Sequence, residues 1–214
     1  NNKYLPKEKF NIELENNFFG YYIYRIPSYF ITPFFLKIKV SASLVTFISL
    51  LSALLIPIVC FFNDSKISTI NYISLLCFIF HLLDHVDGNI ARISNKSSHL
   101  GQFFDMICGL VYWVVLYLSI GYLIDKYFGF ESIFNGNAFK FSLIIIIIDQ
   151  ISRLISLYSR LNFKKVSKNK HSESKFIFLK SLFVSFKRTV PILLIIFLNF
   201  STIDYYLFMQ LVYV

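Results

Sequence analysis

An all-α bundle of membrane-crossing helices is the fold class this sequence predicts, on three observations. Of its 214 residues, 56% are hydrophobic and 19% aromatic, while only 15% are charged. The apolar residues gather into runs of about 20, long enough to cross a hydrocarbon core of about 30 Å as a helix. Basic residues collect in the stretches between alternate runs, as the loops of a multi-pass membrane protein do. A water-soluble globular domain has a much more polar balance.

The segment Asn1–Val40 mixes charges with aromatic residues, as in FFGYYIYRIPSYFITPFFLKIKV. That mixture suits the headgroup region and predicts an interfacial amphipathic helix, broken into pieces by Pro27 and Pro33. The segment is too long and too polar to be a cleavable signal peptide. Spans are expected at Ala42–Phe62, Ile67–Ile93, Leu100–Ile124, Ala138–Tyr158 and Leu182–Phe200. A sixth begins near Ile203, but from there to Val214 a helix covers roughly 18 Å and is short or truncated for a crossing. The expected organisation is an N-terminal cytoplasmic or interfacial segment, 1–40, followed by one six-helix domain, 41–214. The connection SNKSSHL is short and polar, which makes the second and third spans antiparallel neighbours. Asn162–Ser174 has the composition of a solvated loop.

The formal net charge is +9. Lys3, Lys7, Lys9, Arg25, Lys37 and Lys39 precede the first span, and Arg92 and Lys96 lie between the second and third. Arg153, Arg160, Lys164, Lys165, Lys168, Lys170, Lys175, Lys180, Lys187 and Arg188 surround the connection between the fourth and fifth. Only Lys66, Lys126 and Lys140 fall in the opposite set of loops, so the N-terminus and the end of the second span are expected on the cytoplasmic side. Basic juxtamembrane loops set topology and attract anionic headgroups, and no nucleic-acid motif accompanies them. Cys60, Cys77 and Cys108 lack paired or metal-ligand spacing and are expected to be buried, small apolar residues. Trp113 and most of the 14 Tyr and 26 Phe are expected at the lipid or interface.

One stretch carries a chemistry. From Asp84 to Gly109 the sequence reads D-x-x-D-G-x-x-A-R-x8-G-x3-D-x3-G, across two apolar segments. Asp84, Asp87, Gly88 and Ala91 fall at i, i+3, i+4 and i+7, a single helical stripe. On the next helix Gly101, Asp105 and Gly109 are spaced by four, again on one face. Carboxylates are expensive at membrane depth and mark function there. Acids one turn apart beside very small residues make a metal site with room for a ligand, and hard carboxylate oxygens suit Mg²⁺ or Mn²⁺.

This pattern resembles the signature of the CDP-alcohol phosphotransferases, integral membrane enzymes of phospholipid synthesis. It matches at Asp84, Asp87, Gly88, Ala91, Arg92, Gly101 and Asp105 and differs at the last position, where the family has Asp and this chain has Gly109. Ser41, Val45 and Thr46 also resemble the start of the family's first membrane helix. The resemblance implies transfer of a phosphoalcohol unit from a CDP-alcohol donor to a lipid or other membrane-associated hydroxyl acceptor, with release of CMP. It implies that Asp84, Asp87 and Asp105 hold divalent metal, two ions in an intact site. It also implies a CDP pocket formed by Asp84, Gly88, Ala91, Arg92, Gly101 and Asp105, and it leaves room for a homodimer. The missing Asp is the family's general base and a second-metal ligand, roles that Gly109 cannot fill. Either a base comes from elsewhere, with Asp149 and His85 as candidates, or the chain is a catalytically impaired or non-catalytic binder of CDP-alcohol or divalent cation.

The remaining polar residues have plainer alternatives. His81, His85 and His99 flank the site, and each fits packing or hydrogen bonding more readily than ligation. Asp149 and Arg153 are placed for an i,i+4 ion pair, with an acceptor site as the functional alternative. Arg92 could snorkel to the interface, but its planar donors suit a diphosphate.

Overall fold

The computed structural model describes residues 20–95 and 98–162, the last few, 156–162, as backbone alone. Among them the chain is helical throughout, without strands. A π-helical turn, Tyr21–Arg25, runs into α1, Ile26–Lys37. There follow α2 (Ala42–Phe62), α3 (Lys66–Ile93), α4 (His99–Tyr127), a 3-10 turn at Gly129–Glu131, and α5 (Ala138–Asn162). Helices α2, α3 and α4 are long and apolar enough to cross a membrane. The expected span Ala138–Tyr158 falls within α5, whereas those at Leu182–Phe200 and from Ile203 onward lie outside the described residues, as does Asn1–Phe19.

The helix boundaries follow from local chemistry. Ser41 precedes α2 in an extended conformation and its hydroxyl accepts from the Leu44 amide at 3.3 Å, satisfying an orphan donor of the first turn. Ser98 does the same for α4, accepting from Gly101 at 3.0 Å. For α5 the acceptor comes from the preceding helix: the Asp125 carboxylate takes the amides of Ala138 and Phe139, each at 2.9 Å. A negative group at a helix N-terminus also complements the macrodipole.

Between α2, α3, α4 and α5 lies one core of Ile56, Ile73, Cys77, Leu116, Ile120 and Ile145 with their neighbours. Phe80 and Tyr112 stack within it at 4.0 Å between ring centroids. The three cysteines are free and buried there or beside the site, as their spacing suggests. Helices α4 and α5 approach closely where Gly121 faces Ser142; a Cβ on Gly121 would stand 2.7 Å from the serine hydroxyl and 3.0 Å from the Ala138 carbonyl. Small residues permit such contacts between membrane helices.

Two expectations are corrected. Trp113 is only 6% exposed, and Tyr24, Tyr112 and Tyr117 are buried rather than facing lipid, whereas Phe30, Phe34, Phe61, Phe62 and Phe103 face outward as expected. The buried rings pack on one another and on His81, so aromatic bulk fills the bundle interior. Pro33 does not break α1 but sits inside it. The helix survives because its other face is pinned: Ser28 and Thr32 are fully buried against α3, while Phe30, Phe34 and Ile38 are exposed. The helix is thus apolar on its outward face, while its inward face carries the buried hydroxyls of Ser28 and Thr32 beside apolar residues. Beneath α1, a second small core of Val45, Val86 and Ile90 meets Ile31, Phe35 and Leu36.

Candidate functional site

The first turns of α2, the last turns of α3 and the first turns of α4 meet at one end of the bundle. The opposite end is marked by Lys126, whose ammonium donates to the Asn63 carbonyl at 2.9 Å, and by Lys66, 3.9 Å from the Phe128 ring. Helices α3 and α4 run antiparallel as expected but are not the closely packed neighbours the short connection suggested. Instead α2 packs against both, and α3 and α4 meet through long side chains such as the stacked Phe80 and Tyr112, which still brings the signature to one end.

Asp87 is 5% exposed and accepts a hydrogen bond from the Thr46 hydroxyl of α2 at 2.5 Å. Thr46 also reaches the Ala42 carbonyl at 3.1 Å. Asp84 and Asp105 lie close to one another across α3 and α4. Asp105 lies within electrostatic reach of Asp87, and all three carboxylates act on the buried Cys108 of α4. The sequence-predicted acids are therefore clustered. Among the described residues, however, no three His, Cys, Asp or Glu side chains stand close enough to form a ready ion cage. Asp87 is instead engaged by Thr46 of α2.

The small residues behave differently from one another. Over Gly88 lies the guanidinium of Arg92, with both terminal nitrogens 3.3 Å from where a Cβ would stand. Gly88 thus lets Arg92 fold back along its own helix. At Gly101 a Cβ would come within 3.2 Å of the Ser98 hydroxyl that caps α4. Ala91 is half-buried at the end of the stripe. Gly109 is open: a Cβ there would meet nothing within 4 Å.

A second polar stripe on α3 escaped the sequence analysis. His81, His85 and Asn89 recur every four residues and face Tyr24, Ser28 and Thr32, which recur at the same interval. The Tyr24 ring lies 5.1 Å from His81 and 6.3 Å from His85. The Asn89 amide donates to the Ser28 and Thr32 hydroxyls at 3.0 and 3.1 Å. Its carbonyl oxygen accepts from Arg92 at 2.9 Å. The matched i, i+4, i+8 spacing of polar residues on two segments was the available signal. Thr46 was noted only as a likeness to the family; its partner Asp87 required the fold.

Of the other candidates, His81 is buried among aromatic rings and His85 is half-buried beside them, as packing residues are. His99 is exposed at the start of α4. Asp149 and Arg153 form the expected i,i+4 ion pair at 2.7 Å, with the Arg153 guanidinium 5.3 Å from the Trp113 ring centroid.

No curated protein and no solved structure matches this chain. The family model described as CDP-alcohol phosphatidyltransferase matches residues 39–213, from the turn before α2 through the whole Asp84–Gly109 signature and beyond, and the chain belongs to that family of membrane transferases.

Proposed function

We propose that this chain transfers a phosphoalcohol group from a CDP-alcohol to an acceptor hydroxyl and releases CMP at the Asp84–Asp87–Asp105 cluster, in the synthesis of a phospholipid headgroup or a related lipid-linked product. The observation that carries this reading is the meeting of three carboxylates from two helices at one end of an apolar helix bundle, with Asp87 buried. Acids so close repel one another, and the buried Asp87 is poorly solvated, which favours a cationic partner. Their donor chemistry fits Mg²⁺ or Mn²⁺, held by Asp84, Asp87 and Asp105. When bound, such ions neutralise the charge of a diphosphate and of the oxygen that leaves it.

The chain's own residues would do the rest. Thr46 orients Asp87. Arg92 offers planar donors to the diphosphate beside it. In the transfer, the acceptor oxygen bonds to the phosphorus next to the alcohol, the bond from that phosphorus to the bridging oxygen breaks, and CMP leaves with the bridging oxygen. The hydroxyl proton must go to a base. Gly109 supplies none, and this residue favours a second reading in which the chain binds CDP-alcohol and turns it over weakly. The lysine-rich stretches of sequence on either side of α1 and after α5 support a cytoplasmic site, where a nucleotide-linked donor is available.

The test is divalent-ion-dependent CMP release by the purified protein against a panel of CDP-alcohols and lipid acceptors. Release with one pair names the substrates. Tight CDP-alcohol binding without release supports the second reading, and absence of both binding and release sinks the assignment.

A further inference from the structure

We propose that Asn89 is a positioning residue that sets the Arg92 guanidinium over Gly88, and that α1, through Ser28 and Thr32, is thereby part of the reaction centre. This rests on the transferase reading for its functional consequence but not for its geometry. Asn89, Ser28 and Thr32 are all fully buried. The Ser28 hydroxyl donates to the Arg25 carbonyl at 2.7 Å, and that of Thr32 to the Ser28 carbonyl at 2.6 Å. Each hydroxyl has one proton, so both are committed to the α1 backbone and present only lone pairs to Asn89. The amide can therefore face them only with its NH₂ group, at 3.0 and 3.1 Å. That orientation turns its carbonyl oxygen to Arg92, at 2.9 Å. A flipped amide would set oxygen against lone pairs and NH₂ against a guanidinium, two repulsions in a buried place.

The relay thus runs from the α1 backbone to the guanidinium, and each link fixes the next. Arg92 is exposed and long, and left alone such a side chain samples many rotamers. Holding one of them before the donor arrives lowers the ordering cost of clasping a diphosphate. Asn89 stands at a variable position of the D-x-x-D-G-x-x-A-R pattern, so the signature itself does not assign it a role.

The experiment is a double-mutant cycle on CDP binding in Mg²⁺, by calorimetry, with Asn89→Leu, Arg92→Ala and the double variant. The relay predicts that Asn89→Leu weakens CDP by about tenfold, the scale of one hydrogen bond to a charged group, and weakens it no further once Arg92 is Ala. Ser28→Ala combined with Thr32→Val, which leaves Asn89 in place, should lose a smaller part of the same affinity, again only when Arg92 is present; this pair stands in if Asn89→Leu does not fold. Additive losses, or full affinity in both, would overturn the proposal. If the unaltered protein binds no CDP, the transferase reading fails and the relay is judged by the Arg92 side-chain ¹⁵N resonance alone. Hindered guanidinium rotation that is released by Ser28→Ala with Thr32→Val supports it, and free rotation in the unaltered protein refutes it.

Discussion

Restoring a carboxylate at position 109 should convert this chain from a weak transferase into a fast one. Gly109 lies one turn after Asp105 on α4, and a Cβ there meets nothing within 4 Å, so Gly109→Asp fits without displacing a neighbour. Two small terms act on stability and nearly cancel. Asp is a better helix former than Gly by about 0.3 kcal/mol. Against that, a like charge four residues from Asp105 costs about 0.2–0.5 kcal/mol in the absence of a cation. The melting temperature should therefore change little, and added divalent ion should raise it more than in the parent. The rate is another matter. A positioned general base contributes about 10²–10⁴-fold, so CMP release should rise by at least about 10²-fold. The control is Gly109→Asn, which has nearly the same shape but cannot take a proton. Equal gains from Asp and Asn would show that the effect is not basic catalysis, and a parent enzyme already fast and unimproved by Asp would refute the reasoning.

The other expectations concern the pieces around that position. Asp84→Ala, Asp87→Ala and Asp105→Ala should each abolish divalent-ion-dependent CDP-alcohol binding; undiminished binding in all three, with metal removed, would mean the cluster is structural. Thr46→Val keeps the side-chain volume but removes the 2.5 Å hydrogen bond to buried Asp87, so thermal or denaturant unfolding in detergent should show a loss of about 1.5–3 kcal/mol. Unchanged stability would mean that Asp87 is held by other groups. Gly121→Ala should destabilise the α4–α5 contact by about 1–3 kcal/mol, because the new methyl meets Ser142 and the Ala138 carbonyl below van der Waals distance. Adding Ser142→Gly should recover only part of the loss, since the carbonyl remains.

What was legible in the sequence was whatever depends on spacing along one helix. The stripe Asp84, Asp87, Gly88, Ala91 and the stripe Gly101, Asp105, Gly109 needed only the helical period, and the short loop between them needed only its length. The pairings that decide how those residues act depend instead on neighbours distant in the chain. Thr46 and Asp87 are 41 residues apart, and Asn89 and Ser28 are 61 apart. The burial of Ser28 and Thr32 on α1, with Phe30 and Phe34 left facing outward, was hidden for a related reason. An aromatic, basic segment reads as interfacial when apolar residues are assumed to point inward, but in an apolar solvent the outward face can be the greasy one. Trp113 was misplaced by the same kind of assumption, because a lone tryptophan in a membrane protein fits an interface belt equally well by composition. Gly88 shows what motif logic leaves open: the missing side chain leaves room over the helix, and in the fold the tip of the exposed Arg92 side chain lies there.

The geometry also bears on where a substitute base could come from if Gly109 proves sufficient as it stands. Trp113 lies one turn beyond Gly109 on α4, and Arg153 stacks on Trp113 while holding Asp149. Asp149 is thus the nearest unassigned acid by sequence logic, but its side chain is 4% exposed and already engaged by a guanidinium at 2.7 Å. Freeing the buried Asp149 carboxylate from Arg153, whose side chain is 33% exposed, would leave an unpaired buried charge, which works against its use as a base. His85 fares no better, because successive helical residues point about 100° apart and its ring turns to Tyr24 on the α1 side, away from the stripe that carries Asp84. Among the described residues the acids of the cluster itself are better placed to receive the proton, and of these Asp105 is the most exposed and lies on the same helix face as the missing Asp. A carboxylate that must serve both as ligand and as base is compromised in each role, so slow turnover is the outcome the arrangement favours, and it is the same residue, Asp105, whose loss should then remove the last of the activity along with the binding.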